Sequence, residues 1–481
     1  MSNYCIASWG SDSWAGTIAR PWLTEDPWNT LVVAGTIQRG DTLWIFGDLT
    51  IAAAAIQIPT DVDVRGGSMN HRPTVTGASG QPCFQFNDSV DGSNLRFINT
   101  TGGSKGVLYG TNVTGSTVIA CKIINWTTSG IDGGSGASAN LNQIIAVELT
   151  GGAGDAFTVG NASGWLLDGV YAHDVTGGAG VDGAAFHDSN AFKNIVRRST
   201  FRNISATEGK AGVSVGSTGA GGGSWVEVDG CIIDNCGNWG ILCAPLSGVD
   251  NALGRLVATN NRVRTSTTTV AGVFGIGVAH TANAYAPIIL NNVVYNRYAY
   301  VKSGSSDLNR VASYYLDCSA TPTFQPQFFN NVSILSDSTN QVHFRSSVAY
   351  YTGASVHVGA AIDQVVNNNC YSVDASDAFM NAGSPLDFAT LQSFFSAESA
   401  GMVDNPRLVS ATPSEPEDFM PLATSPLIGA GRNASSTLTT DCFGLTRSSW
   451  SIGATRGFLP TATQENIYEA VISTALKRGI I

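Results

Sequence analysis

Charge is scarce in this chain. Lysine and arginine number 25 and aspartate and glutamate 36 among 481 residues, so charged side chains make up 13%, about half the usual quarter. With a formal net charge of −11, there is no clustered Lys and Arg to neutralise a phosphate backbone, which excludes an extended nucleic-acid surface. Long apolar runs are also missing. The nearest approach, Ile51 to Ile58, is short and lies between polar turns, so no membrane insertion is expected. The opening Met1-Ser-Asn-Tyr-Cys5 has neither a basic n-region nor an apolar h-region, and no secretory signal is expected. Nine cysteines are scattered without metal-ligand spacing. Cys231, Cys236 and Cys243 lie close in sequence but span strand and turn, and read as buried thiols before they read as a metal or disulfide site. Synthesis in a reducing cytoplasm follows.

What is plentiful is glycine, 55 residues against a usual share of about 7%, together with a returning phrase. A short apolar or β-branched run ends in Asn or Asp and passes into small polar residues. It reads Leu95-Arg-Phe-Ile-Asn99, Cys121-Lys-Ile-Ile-Asn125, Val170-Tyr-Ala-His-Asp174, Ser199-Thr-Phe-Arg-Asn203, Cys231-Ile-Ile-Asp-Asn235 and Asn292-Val-Val-Tyr-Asn296. Leu149-Thr150-Gly151 and Arg264-Thr265 fill two further copies, and the polar positions recur about every 25 to 32 residues, the period range of a solenoid. A unit this short cannot close its own core, so each copy must stack on its neighbours. Val/Ile-rich runs broken by Gly, Asn, Asp and Ser make each copy a set of strands. Like residues then lie above one another at the strand spacing of roughly 4.8 Å, where asparagines can form a ladder and tolerate the left-handed backbone of a tight corner. Asn99, Asn125, Asn203, Asn235 and Asn296 are expected at equivalent corners, Cys121 and Cys231 as rungs of one inward stack. About ten coils fit. Asn-X-Ser/Thr sequons at Asn99, Asn125 and Asn203 coincide with the corner and are read as ladder positions.

The ends differ from the middle. Residues 1–60 hold five of the ten tryptophans, Trp9, Trp14, Trp22, Trp28 and Trp44, and an open solenoid end needs such a cover; a carbohydrate-stacking surface is the other use of these rings. After Phe458 the texture becomes helical. Thr463 caps, Glu465 sits in the first turn, Lys477 and Arg478 in the last, and Gly479 stops a helix whose apolar face is Ile467, Ala470, Val471, Thr474 and Ala475. That face must dock on the coils or on another chain. Tyrosines gather in the second half, among them Tyr295, Tyr314 and Tyr315, and suit a sugar platform or a subunit interface equally.

Gly10-Ser-Asp-Ser-Trp-Ala-Gly16-Thr17, Pro21-Trp22 and Gly40-Asp41-Thr42-Leu43 open the chain, and Val403-Asp-Asn-Pro-Arg-Leu408, Ser425-Pro-Leu-Ile-Gly-Ala-Gly431 and Asp441-Cys-Phe-Gly444 close it. With the repeats between, the chain resembles the right-handed parallel β-helix proteins similar to pectate lyases and phage tailspikes, over about residues 6 to 458. The repeat and the resemblance together predict an all-β chain, a right-handed single-stranded parallel β-helix (solenoid), with N-terminal cap 1–60, β-helix 61–380 and closing coils and cap 381–458; the helical texture after Phe458 adds a short terminal amphipathic α-helix 459–481. The resemblance implies less about activity, because one scaffold carries lyases, hydrolases, epimerases and inert structural proteins.

The densest ionisable stretch runs from Asp168 to Lys210. Adjacent coils would bring Asp182, His187 and Asp188 near the level of Glu208 and Lys210, a carboxylate cluster beside a base and so the candidate catalytic set. Against it, Asp174 takes the corner position that Asn holds elsewhere, and Arg197 and Arg198 alternate so that one alone could face a groove. Hydrolases of similar fold need two carboxylates astride the glycosidic bond, and no paired-aspartate, Gly-His-Gly or Arg-x-Lys phrase is present. No cofactor is expected, calcium entering only for a lyase. Two functions remain: a structural or adhesive virion protein, tailspike-like or a capsid (head) decoration, made in the host cytoplasm; or a polysaccharide lyase or glycoside hydrolase acting on an acidic polysaccharide. The resemblance implies a homo-trimer for the first, with other virion proteins and a surface polysaccharide as partners, and the missing catalytic phrase favours it.

Overall fold

The computed structural model describes residues 1–67, 72–134, 141–160, 164–177, 181–187, 193–204, 211–216, 225–243, 255–266, 273–280, 287–297, 311–318, 327–336, 342–346, 366–372, 379–381, 384–395, 399–435, 437–442, 446–447 and 450–455. The candidate residues Asp188, Glu208 and Lys210 and the expected helix from Thr463 to Gly479 lie outside them.

Each coil contributes one strand to each of three sheets, visited in a fixed order. Thr42–Phe46 opens a coil on the first sheet, Leu49–Thr50 continues it on the second and Ile56–Ile58 on the third, and Asp63–Gly66 starts the next coil on the first sheet again. Among the described residues each sheet has 13 strands, so the coils outnumber the ten or so expected: Asn3–Ala7 already forms the first rung, and pairing continues to Met402–Val403, beyond the clear repeats. Described pairs are parallel except Phe379–Asn381 with Ser384–Leu386. The chain is a right-handed parallel β-helix.

Alternation within three-residue strands fills the core. On the second sheet Ile123, Leu149, Phe201, Ile233, Val263 and Val294 point inward at 1% exposure or less, while their neighbours on either side face out. The corner from first to second sheet is a column of left-handed residues: Phe97, Ala120, Ala146, Gly169, Arg198, Gly230, Asn260, Asn291, Asn330 and Asn368, all with φ between 49° and 65°. The residue after each turns inward. Cys121 and Cys231 are rungs of this stack, both buried, and farther along it becomes Asn261, Asn292, Asn331 and Asn369. There each Nδ2 donates to the next Oδ1 at 3.0, 3.0 and 3.1 Å, and the same Oδ1 atoms accept backbone N–H groups. Buried amides pair completely along such a stack, because every coil presents the same donor above the same acceptor.

The corner from second to third sheet has left-handed residues at Gly102, Asn125, Gly151, Asp174, Asn203 and Asn235. Asn99 is not among them. It pairs with Lys122 at the start of a strand, three residues early. Asn296 is in register through Thr265 but continues its strand, is fully buried and accepts from Thr265 Oγ1 at 3.2 Å.

Wide covers protect the coils. At the N-terminus Trp22 bridges to Ile6 and both Trp22 and Trp28 are buried, with the helix Asp26–Val33 alongside. Residues 405–455 fold back along the flank of the later coils. Leu408, Phe419, Leu427, Ile452 and Ala454 cover the outward Val293, Tyr295, Val332 and Ile334 of the second sheet, and Ala434 and Leu438 cover Leu290 and Phe329 of the first. The left-handed asparagines hold this segment: Asn260, Asn291, Asn330 and Asn368 donate Nδ2 to the carbonyls of Thr440, Gly453, Arg432 and Ala430 at 3.1, 3.1, 2.8 and 3.2 Å.

Candidate acid–base site on the second sheet

Asp182 and His187 are the members of the candidate set that the structure describes. Asp182 is 2% exposed. Its Oδ1 accepts the Ala211 N–H at 2.7 Å and its Oδ2 the Ser214 hydroxyl at 2.9 Å, so the carboxylate joins one coil to the next. His187, half-buried, ends its strand between Gly160 and Gly216. Nearby, Arg197 and Arg198 do not divide between two faces: both guanidinium groups bond Asp168, Arg197 Nη2 at 2.8 Å and Arg198 Nε at 2.9 Å. The left-handed φ at Arg198 breaks the alternation assumed for an extended strand.

The stretch does supply a different cluster, on the outer face of the second sheet. Glu148–Thr150, Tyr171–Val175 and Thr200–Ile204 lie side by side in register, Glu148 beside Tyr171 and Thr150 beside His173, with His173 beside Arg202. His173 Nε2 meets Glu148 Oε1 at 3.2 Å and its Nδ1 meets Asp174 Oδ2 at 2.8 Å. The ring stacks on Tyr171 with centroids 4.2 Å apart. Lys122 Nζ bonds Glu148 at 2.8 Å. Asn203 Nδ2 donates to Asp174 Oδ1 and Asn235 Nδ2 to Asn203 Oδ1, both at 2.9 Å. On the next coils Arg202, Arg264 and Arg297 surround the buried Asp234 at 3.1, 2.5 and 3.5 Å, and Arg202 also reaches Glu415 of the returning segment at 3.2 Å.

The neighbouring groups shift one another's protonation. The hydrogen bond with His173, aided by Lys122, pulls Glu148 down to about 2. The same bond raises His173 above its ordinary value, with Asp174 adding to it against the opposing effect of burial. His173 lowers Asp174, helped by Asn203, and burial raises the Tyr171 phenol. These shifts favour an imidazolium between two carboxylates, beside a neutral phenol. The arrangement offers donors, acceptors and an aromatic face.

No group of three or more His, Cys, Asp or Glu side chains able to hold a metal ion occurs among the described residues, and none of their helices is long and apolar enough to cross a membrane. The signal for the Glu148–His173 pair was present in the repeat, since Glu148 and Tyr171 follow the same corner one coil apart. Glu415 had no such signal, lying far outside the repeat.

Three sheets wound in this order and closed by aromatic and returning covers define a right-handed parallel β-helix protein, of the architecture shared by pectate lyases and phage tailspikes. No protein family and no curated protein matches the chain. Among solved structures it is similar to the XylC complex with xylose, at 12% identity and a TM-score of 0.50, covering 96% of this chain and 99% of that one. It is also similar to the tailspike of E. coli bacteriophage HK620 in complex with a pentasaccharide, at 11% identity and a TM-score of 0.49 over 83% and 80%, and to pectate lyase Pel9A, at 13% identity and 0.44 over 95% and 97%. At these identities the likeness concerns the fold.

Proposed function

We propose that this chain is a rigid glycan-recognising rod, a structural or adhesive virion component of the tailspike kind. The open part of its second sheet holds the ligand. The carrying observation is a change along one face: across Lys122, Glu148, Thr150, Tyr171 and His173 the outward side chains are mostly polar and part-exposed, Arg202 meets Glu415 of the returning segment at the edge, and from Val293 on they are apolar and buried under that segment. The polar stretch runs along the rod axis, one strand spacing of roughly 4.8 Å per coil, as a linear polysaccharide would. Tyr171 offers a ring face, and Glu148, His173, Asp174 and Arg202 offer fixed hydrogen-bonding groups that need no reordering on binding. Self-association as a trimer would place three such faces on one particle.

Recognition fits this site better than cleavage. Glycoside hydrolysis needs one carboxyl group held protonated near neutrality, and Glu148 and Asp174 are both shifted the other way. The test is a binding and digestion panel of neutral and acidic polysaccharides with the full-length protein. Binding without new reducing ends or unsaturated products, weakened by Tyr171→Ala and His173→Ala, supports the reading. Turnover abolished by His173→Ala would establish an enzyme instead, and a monomer at micromolar concentration would remove the trimer.

A further inference from the structure

The first sheet opens with a surface unlike its later coils. Strand Thr42–Phe46 sends Leu43 and Ile45 inward, both fully buried, which leaves Trp44 and Phe46 on the outer face. In the following coils the row of Trp44 continues as Arg65 and Arg96. Closing the end of the solenoid accounts for Trp22 and Trp28, which are buried. It does not account for outward rings.

These rings are ordered as a strip. Trp44 and Phe46 are parallel within 3° at a centroid separation of 5.9 Å. Trp9, 59% exposed, adds a third ring 6.3 Å from Phe46. Their orientation is held from outside the core: Trp44 Nε1 donates to Asn3 Oδ1 at 3.1 Å, Arg65 lies over Trp44 with Cζ 3.9 Å from the ring centroid, and Phe46 passes so close to Gly67 that a Cβ there would come within 2.6 Å of the ring. Planar polar groups border the rings, with Arg96 Nε donating to Asp63 at 2.8 Å and Arg65 Nε 3.6 Å from the same carboxylate.

We propose that Trp9, Phe46 and Trp44 form a second carbohydrate-binding platform, on a different sheet from the His173 site and independent of it. Pyranose rings would lay their apolar C–H faces on the exposed Trp9 ring and the part-exposed Phe46 ring while hydroxyl groups meet Asn3, Asp63, Arg65 and Arg96. Trp9 is tilted 38° from Phe46, and aromatic rings bordered by both donors and acceptors suit a sugar, which is apolar on its faces and polar around its rim. A protein anchor would instead be expected in a concave, desolvated pocket.

Tryptophan fluorescence of the full-length protein reads this directly. Titration with neutral hexasaccharides, oligouronates and fragments of bacterial surface polysaccharide should give a saturable emission change with at least one of them. Trp9→Ala and Phe46→Leu should each weaken that binding by about tenfold with the melting temperature unchanged. Failure of every oligosaccharide to bind, or binding that survives the Trp9→Ala/Phe46→Leu double variant, overturns the proposal. So does a Trp9→Ala protein whose glycan binding is unchanged but whose sedimentation shifts, because the strip is then a protein interface.

Discussion

Arg202 Nη2 and Glu415 Oε2 stand 3.2 Å apart although 213 residues separate them in the chain. Their contact marks the place where the returning segment begins to cover the second sheet. It is a boundary mark more than a fastening. Arg202 is already paired with the buried Asp234, and the Glu415 side chain is 55% exposed.

The fastening lies at Arg447, whose Nη2 donates to Asn260 Oδ1 at 2.8 Å and to the Ala454 carbonyl at 3.0 Å in a buried setting. Glu415→Ala should therefore cost less than about 1 kcal/mol. Arg447→Met should cost more, about 1–3 kcal/mol for each buried group left unpaired. Urea unfolding, with limited proteolysis of residues 405–455, measures both, and equal sensitivity of the two variants would contradict this division.

The His173 clamp should be tuned to mildly acidic pH. Its raised folded-state value means its contribution is fully present below the unfolded value of 6.5 and is lost as pH rises through the higher folded value. Glu148 works from the other side: its contribution is present above the unfolded 4.5 and lost as pH falls through about 2. Both terms are complete between about 4.5 and 6.5. NMR titration of His173 should give a midpoint above 6.5, and Glu148→Gln should lower it. A midpoint unmoved by that substitution would count against the clamp.

Position in the ladder should outweigh residue type. Asn292 donates to Asn331 and the Ala258 carbonyl and accepts from Asn261, all buried, so Asn292→Ala should destabilise by several kcal/mol, about 1–3 for each partner left unsatisfied. Asn203, exposed at the opposite corner with φ 52°, should tolerate glycine within about 0.5 kcal/mol, because glycine adopts that backbone without strain. Thermal unfolding of the two variants decides it.

Gly152 tests packing around the corner tryptophan. A Cβ there would stand 1.9 Å from the ring of Trp126, which is 1% exposed and bonded to the Gly154 carbonyl at 2.9 Å. Gly152→Ala should cost about 1–3 kcal/mol through overpacking. A melting temperature equal to wild type would show that Trp126 can move aside.

The coil was legible in the chain because its cause is local. A strand of a few β-branched residues, a corner residue that accepts a left-handed backbone and a period near 30 recur whether or not the copies touch. Asn125, Asn203 and Asn235 were found at one corner for that reason, and Cys121 and Cys231 in one inward stack. Register within a coil is less local, and Asn99 shows it: its tripeptide matches the others but starts a strand. The doubled asparagines at 260–261, 291–292, 330–331 and 368–369 were a signal in plain view. Their division of labour, one for the ladder and one for the returning segment, depends on a segment far along the chain.

The sites divide the same way. Outward and inward faces follow from alternation, so a polar outer row on the second sheet was implicit in the repeat. How far an outward residue meets solvent was decided by residues 405–455, which bury Tyr295 and leave Tyr171 part-exposed. Ionisation of the cluster belongs in large part to the tertiary structure. Asp174 follows His173 in sequence, but only the stacking of one coil on the next brings Glu148 to the other side of the imidazole at hydrogen-bond distance, where the largest shift of His173 arises.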